Sequence, residues 1–210
     1  SFYFGHHITT IEGGTVSTND DLIHEYVRLF RSHGMTREAS PHFQKMYQEK
    51  YPHLNPLFTF AVPGYNMRNA EINAVLGLSQ INRLDHNIER RIHNMALWNS
   101  SLNSELYYTD YKLRGNSNFA LPLVMRGTDS DMFKKVCSVL EQEKVEYRTG
   151  TAGGGNQAMQ PYLVEGKYKY RIVGDLSYTD HIHYNSLYIG NHPELTDEQI
   201  TQLCERINDV

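Results

Sequence analysis

The sequence predicts an α/β chain whose second half is a small α+β domain. Two observations carry this. From residue 118 onward short apolar runs alternate with helical patterns: strand 118–125, helix 131–143, strand 145–148, an irregular glycine-rich segment, strand 186–190 and helix 197–208. Ahead of them, Ile81, Leu84, Ile88, Ile92 and Met95 recur every three or four residues, the seam of one long helix over 69–98. Such a helix is long enough to bridge two domains, and Ala74 and Gly77 let a neighbour approach it closely. The expected division is therefore 1–98, ending with the bridging helix, and 99–210.

In chain order, Ser1-Phe-Tyr-Phe-Gly-His6-His7-Ile-Thr-Thr-Ile-Glu12-Gly13-Gly14 opens as an aromatic strand at Phe2–Phe4 and breaks at Gly5. It then presents two adjacent histidines and turns at a glycine pair. Residues 15–18 are β-branched at alternate positions and read as a strand. Asn19 or Asp20 caps a helix with apolar positions Leu22, Ile23, Tyr26, Val27 and Phe30, which Gly34 stops. Residues 35–57 hold Pro41, Pro52 and Pro56 and read as a long excursion with one short helix around 41–50, the kind of loop that is functional or a subunit contact. Phe58–Val62 reads as a strand, with Phe58 and Phe60 in a core or interface, followed by a turn at Gly64-Tyr65-Asn66-Met67-Arg68. Thr196-Asp-Glu-Gln199 is a capping box that starts the last helix.

Composition narrows the function. Among 210 residues, 20 are basic and 24 acidic, for a net charge of −4, which leaves no basic face for nucleic acid. No run of about 18 apolar residues marks a membrane span. Nor does the start have the charged and apolar regions of a secretory signal. Cys137 and Cys204 each sit in a helical apolar pattern and read as two buried thiols in a reducing cytoplasm. Eleven His and fifteen Tyr suit an aromatic-lined small-molecule site, and equally an ordinary surface.

From the residues alone, His6 and His7 read as loop residues of a hairpin, and Asn66 as a turn residue that tolerates left-handed backbone. The segment Arg148-Thr-Gly-Thr-Ala-Gly-Gly-Gly-Asn156 lacks the Lys-Ser/Thr ending of a phosphate loop and reads as a linker. His181 and His183, alternate residues on an expected strand, give two metal ligands with no third nearby, so no metal site is expected.

The opening stretch resembles the cofactor-lysine segment of the DegT/DnrJ/EryC1/StrS family of sugar aminotransferases, in which Ser-Phe, three residues and Lys lead into a glycine-rich turn. Here the lysine position is His6, the mark of the family's pyridoxamine-dependent sugar 3-dehydratases. The resemblance runs from Ser1 to the final helix. It implies the C-terminal part of an aspartate-aminotransferase-like pyridoxal phosphate (PLP) fold: the end of the large mixed-sheet domain (1–98) and a small α+β domain (99–210). The ring-stacking aromatic, the carboxylate facing the pyridine nitrogen and half the phosphate cradle would lie in a preceding part of the protein. That part would also supply partner strands, without which sheet edges and apolar surface are exposed.

The resemblance further implies site roles. Histidine cannot make the covalent link of a lysine, so pyridoxal or pyridoxamine phosphate is held non-covalently and His6 acts as the base, with His7 the alternative. The Ser1 hydroxyl would bond the cofactor phosphate, and Asn66 would reach the phosphate of the neighbouring subunit in a homodimer. Arg68, Arg148 and Asn156 become substrate candidates, a guanidinium holding either a glutamate carboxylate or a nucleotide phosphate. Glu12 would position the turn. A nucleotide sugar and glutamate are the implied small-molecule partners, in the cytoplasm. The iron–sulfur members of the family need four cysteines, and the stretch after Arg31-Ser-His-Gly holds none. A nucleotide-sugar aminotransferase and an inactive nucleotide-sugar-binding homologue are the alternatives.

Overall fold

The structure, a computed structural model, describes residues 1–150 and 153–210, which form two compact units, Ser1–Asn82 and Arg83–Val210.

In the first unit, Asp20 caps helix α1 (Asp21–Arg31) by accepting from the Ile23 N–H at 2.9 Å. The side chains it buries are Leu29 and Glu25, while Leu22, Ile23 and Phe30 stay exposed. Ser40 caps α2 (Pro41–Lys50), with Pro41 in the first turn where its missing N–H costs nothing. The small core holds Leu29, Met35 and Ala39 among buried Ser32, Thr36 and Thr59. The strands expected at 2–4, 15–18 and 58–62 are absent. β-Branched and aromatic residues form strands only when a neighbour completes the ladder. Residues 56–58 instead make a 3₁₀ turn, started by Pro56 and capped by the Asn55 side chain, and Phe60 makes a single bridge to Met35.

The helix expected over 69–98 is two helices, α3 (Glu71–Ile81) and α4 (Leu84–Ser101). The junction, Asn82–Arg83, is exposed, so nothing is buried there to carry a poor helix former such as Asn82 through. Of the expected seam only Met95 is buried, and α4 faces inward with Arg91, Asn94, Met95 and Trp98. Those side chains place α4 within the second unit, whereas the sequence pattern predicts it to close the first domain at residue 98.

The second unit has the expected small α+β form. Strands β1 (Ala120–Val124), β2 (Tyr147–Thr149) and β3 (Ser186–Gly190) make an antiparallel sheet in the order β1-β3-β2. Helices α5 (Ser130–Gln142) and α8 (Asp197–Asn208) start where the sequence places them, α8 with its capping box intact. Leu121, Leu123, Leu187 and Ile189 alternate into a core completed by Trp98, Tyr107, Val136, Leu140, Ile200, Cys204 and Ile207. Pro122 is tolerated because β1 is an edge strand, and its carbonyl accepts from Trp98 Nε1 at 2.9 Å. Both cysteines are free thiols, and burial pushes Cys204 up to about 12. Two short helices were not expected from the sequence, α6 (Pro161–Val164) and α7 (Ser177–Asn185). His181 and His183 therefore lie on a helix, not a strand: α7 has no side-chain N-cap and a mixed His/Tyr pattern without clear periodicity.

Candidate functional site

Within Ser1–Asn82 the opening stretch is a closed loop. The Phe2 N–H donates to Gly13 O at 2.8 Å and the Thr10 N–H to Phe2 O at 2.9 Å. Helix α3 pins the far side: Asn73 Nδ2 donates to Thr10 O at 2.7 Å and Glu12 O at 3.3 Å. Gly13 has φ +152°, and a Cβ there would stand 2.7 Å from Thr10 Oγ1, which is why this position needs glycine. The Glu12 backbone carbonyl also accepts from Thr10 Oγ1 at 2.8 Å. Ile11 takes φ +72°, a costly backbone for a β-branched residue.

This frame presents His6, half-buried, with its N–H donating to Tyr3 O at 3.0 Å and its ring edge-on to Tyr3 at 5.9 Å. Ser1 is exposed and its Oγ accepts from the Tyr3 N–H at 3.3 Å.

The Gly64–Arg68 segment is extended rather than a turn. It is laced to the end of α1: Tyr65 N–H donates to Phe30 O (2.7 Å), His33 N–H to Tyr65 O (2.6 Å) and Met67 N–H to Arg31 O (2.9 Å). Those bonds satisfy carbonyls that a helix end leaves open. Two glycines make the approach possible. A Cβ on Gly34 would lie 1.8 Å from Val62 O, and one on Gly64 would lie 2.3 Å from Gly34 N. The result holds Asn66, bridged to Ser32 by its backbone, with an exposed side chain. Arg68 reaches Glu38 at 3.8 Å, and Arg37 approaches the same carboxylate oxygen at 3.7 Å.

Arg148 and Asn156 belong to the second unit. Arg148 is exposed on β2, with Nη2 3.4 Å from Glu146 Oε1. Asn156 is buried and committed to the protein: its N–H donates to His183 Nδ1 (3.1 Å), its Nδ2 to Asp180 Oδ1 (2.7 Å), and its Oδ1 accepts from the Ala158 N–H (2.9 Å). A Cβ on Gly155 would lie 2.4 Å from His183 Nδ1, so His183 and Asp180 latch the end of the glycine segment. Residues 151 and 152 of that segment lie outside the described residues. Sequence reasoning gave His183 no partner, because a strand assignment points it away from where the helix carries it. Among the described residues no group of three His, Cys, Asp or Glu could hold a metal ion, and no helix is long and apolar enough to cross a membrane.

The chain belongs to the DegT/DnrJ/EryC1/StrS aminotransferase family, which matches it over residues 1–208. It is 28% identical over 207 residues to the GDP-4-keto-6-deoxy-D-mannose 3-dehydratase of Yersinia pseudotuberculosis, a match covering 97% of this chain and 51% of the relative. A solved Escherichia coli GDP-4-keto-6-deoxy-D-mannose-3-dehydratase with bound hydrated PLP has TM-score 0.80 at 22% identity, covering 98% of this chain and 52% of that one. A mutant GDP-4-keto-6-deoxymannose-3-dehydratase with bound GDP-perosamine has TM-score 0.79 at 22% identity, covering 98% and 53%. The aminotransferase-like fold expected from the sequence is the fold found. The chain spans about half the length of the curated relatives it matches.

Proposed function

We propose that the protein carrying this chain is a sugar 3-dehydratase using PLP and pyridoxamine phosphate, acting on a nucleotide-linked 4-keto-6-deoxyhexose such as GDP-4-keto-6-deoxy-D-mannose, with glutamate as amino donor. The observation that carries the reading is His6 on a loop that closes through Phe2, Thr10 and Gly13, at the position that the sequence resemblance gives to the family's lysine. The donor set suits the cofactor: the Ser1 hydroxyl and the exposed Asn66 amide are neutral groups that bond phosphate oxygens, and no lysine lies in residues 1–44 to capture an aldehyde. When bound, the cofactor supplies an amine for the 4-keto group and an electron path that lets the 3-hydroxyl leave, glutamate restoring the amine.

His6 would serve as the base, taking up a proton at a ring nitrogen, and, unlike a lysine, it would leave the cofactor without a covalent tether. Ser1 holds the phosphate from its own subunit and Asn66 from the partner, in a cytoplasmic homodimer. Arg68, anchored by Glu38, and Arg148 are cations for the substrate's anionic groups. Asn156, with its hydrogen-bonding groups already engaged, holds the glycine segment in place.

The test is mass analysis of the product from full-length protein given 4-keto-6-deoxy nucleotide sugars and glutamate. A 3-deoxy ketone with released ammonia is expected; a 4-amino sugar retaining its 3-hydroxyl would make the protein an aminotransferase. Mixing Asn66→Ala with His6→Asn subunits is expected to restore activity in heterodimers, and no rescue would refute the shared site.

A further inference from the structure

We propose that Asn156, His183 and Asp180 form an acid-sensitive latch, which holds the glycine segment on α7 while His183 is neutral and frees it when the His183 ring takes a proton. The device is independent of the reaction the protein catalyses. The segment is tied at its two ends. At the first, the Gly150 N–H donates to Ser186 O at 2.7 Å. At the second, Asn156 bonds α7 twice, through its N–H to His183 Nδ1 at 3.1 Å and through Nδ2 to Asp180 Oδ1 at 2.7 Å. Between the ties Gly153, Gly154 and Gly155 have φ of +97°, +80° and +80°. Among the described residues none of their N–H groups donates to a backbone carbonyl. The Asn156 end is therefore what fixes this turn.

The two histidines of α7 respond to acid in opposite ways. His181 Nε2 lies 2.7 Å from Met125 O. A carbonyl only accepts, so this nitrogen carries a hydrogen, and protonating the ring leaves the bond in place. His183 Nδ1 faces an N–H, so it must offer a lone pair, and the ring hydrogen sits on Nε2. A proton on Nδ1 removes that acceptor and sets two hydrogens against each other. Histidine is the side chain that makes this change between about pH 5 and 8. Acid thus leaves α7 docked, through His181 and through the Met125 N–H on Asn185 O at 2.9 Å, and cuts one of the two bonds from Asn156.

The contact leaves no room for the charged ring to be ignored. A Cβ on Gly155 would lie 2.4 Å from His183 Nδ1 and 3.0 Å from its Cα, so the segment's backbone rests directly on this residue. The titratable groups that face His183 are Asp180, one turn earlier on α7, and Tyr184, whose ring is edge-on at 4.5 Å. The glycine segment packed against it brings Gly155 and Asn156, neither of which titrates. Gly153 and Gly154 also wall a cavity of about 630 Å³ with Tyr147, Arg148, Thr149 and Tyr188, and release of the latch opens that wall.

The experiment is hydrogen exchange of full-length protein at about pH 8 and about pH 5.5, each rate divided by that of an unstructured peptide at the same pH. Protection of the Asn156 N–H is expected to fall about tenfold or more in acid, the loss of one hydrogen bond, while the Met125 N–H changes little. His183→Asn offers a side-chain oxygen where Nδ1 stands and does not titrate, so its protection is expected to hold at both values. Asp180→Asn keeps an acceptor for Asn156 Nδ2 and removes the neighbouring carboxylate, and is expected to keep the acid response. Imidazole nitrogen NMR shifts of the unaltered protein, which need no variant, are expected to place the His183 hydrogen on Nε2 at the higher pH. Equal protection of Asn156 at both values would overturn the proposal, as would an undiminished fall in His183→Asn. Disappearance of the fall in Asp180→Asn would assign the response to the carboxylate and refute the role of His183, and a hydrogen on Nδ1 at the higher pH would refute it directly.

Discussion

The two units solve the problem of holding shape in different ways. Arg83–Val210 is organised by a core in which Trp98, Tyr107, Leu121 and Ile207 have no exposed surface, and its helices and strands follow from that burial. Ser1–Asn82 buries little: α3 has no buried residue, and Ile72 and Leu78 are 70% and 69% exposed. Its order comes instead from backbone lacing, as between Gly64–Met67 and the end of α1, and from glycines where chains nearly touch. The opening segment, which resembles the family's cofactor-lysine segment, is thus on a polar, glycine-dependent frame, and the larger apolar core lies in the other unit. A frame of that kind can present Ser1 and Asn66 exposed and His6 half-buried on loops.

The comparison can be broken at its chemical end first. Under the proposed function, His6→Asn keeps a hydrogen-bonding group but removes the proposed base, so 3-deoxygenation is expected to fall about a hundredfold or more with cofactor binding retained. Near-normal 3-deoxygenation in this variant together with its loss in His7→Asn would move the base to the neighbouring residue. His6→Lys is expected to lose most 3-deoxygenation and to gain the absorbance of a covalently linked cofactor.

At the core end, Trp98→Ala removes the largest fully buried side chain and orphans the Pro122 carbonyl, and is expected to cost about 3–5 kcal/mol. Chemical denaturation measures this, and a change below about 1 kcal/mol would mean the second unit is not organised by its core. Gly64→Ala tests the frame. Its Cβ would fall 2.3 Å from Gly34 N, a backbone atom, so a loss of about 2 kcal/mol is expected, with faster hydrogen exchange at Tyr65 and Met67. Unchanged exchange there would show that the close approach is not what holds Asn66.

The smallest effect concerns Glu25. Burial alone would raise its carboxyl, but hydrogen bonds from the Ser40 hydroxyl and N–H, with Arg28 and His24 nearby, hold it below its ordinary value of 4.5. Because the folded value is the lower one, this stabilisation is fully present above about 4.5 and is lost as pH falls through the depressed folded value. Glu25→Gln is therefore expected to cost about 1 kcal/mol at pH 7 and to flatten the acid side of the stability profile. A profile identical to wild type would remove Glu25 from the frame.

What the sequence determined by itself was whatever local chemistry dictates. Thr196 and Gln199 specify the start of α8, Asp20 the start of α1 and Pro41 that of α2, since caps and proline act within one turn. The short apolar runs at 118–125 and 186–190 marked β1 and β3, and in the fold Leu121, Leu123, Leu187 and Ile189 are their buried face. The Ser1-to-His6 spacing and the glycine pair carried the family. Tertiary structure decided the rest, for reasons no local pattern contains. The Phe2–Phe4 and Phe58–Val62 runs have strand propensity but no ladder to join, and the apolar seam through 81–95 is broken where Asn82 and Arg83 have nothing to bury. Gly64 reads as a turn residue until Gly34 is found against it, and His183 reads as a stray ligand until α7 carries it to Asn156. Each of these depends on a partner distant in sequence, and such contacts exist only once the chain has folded.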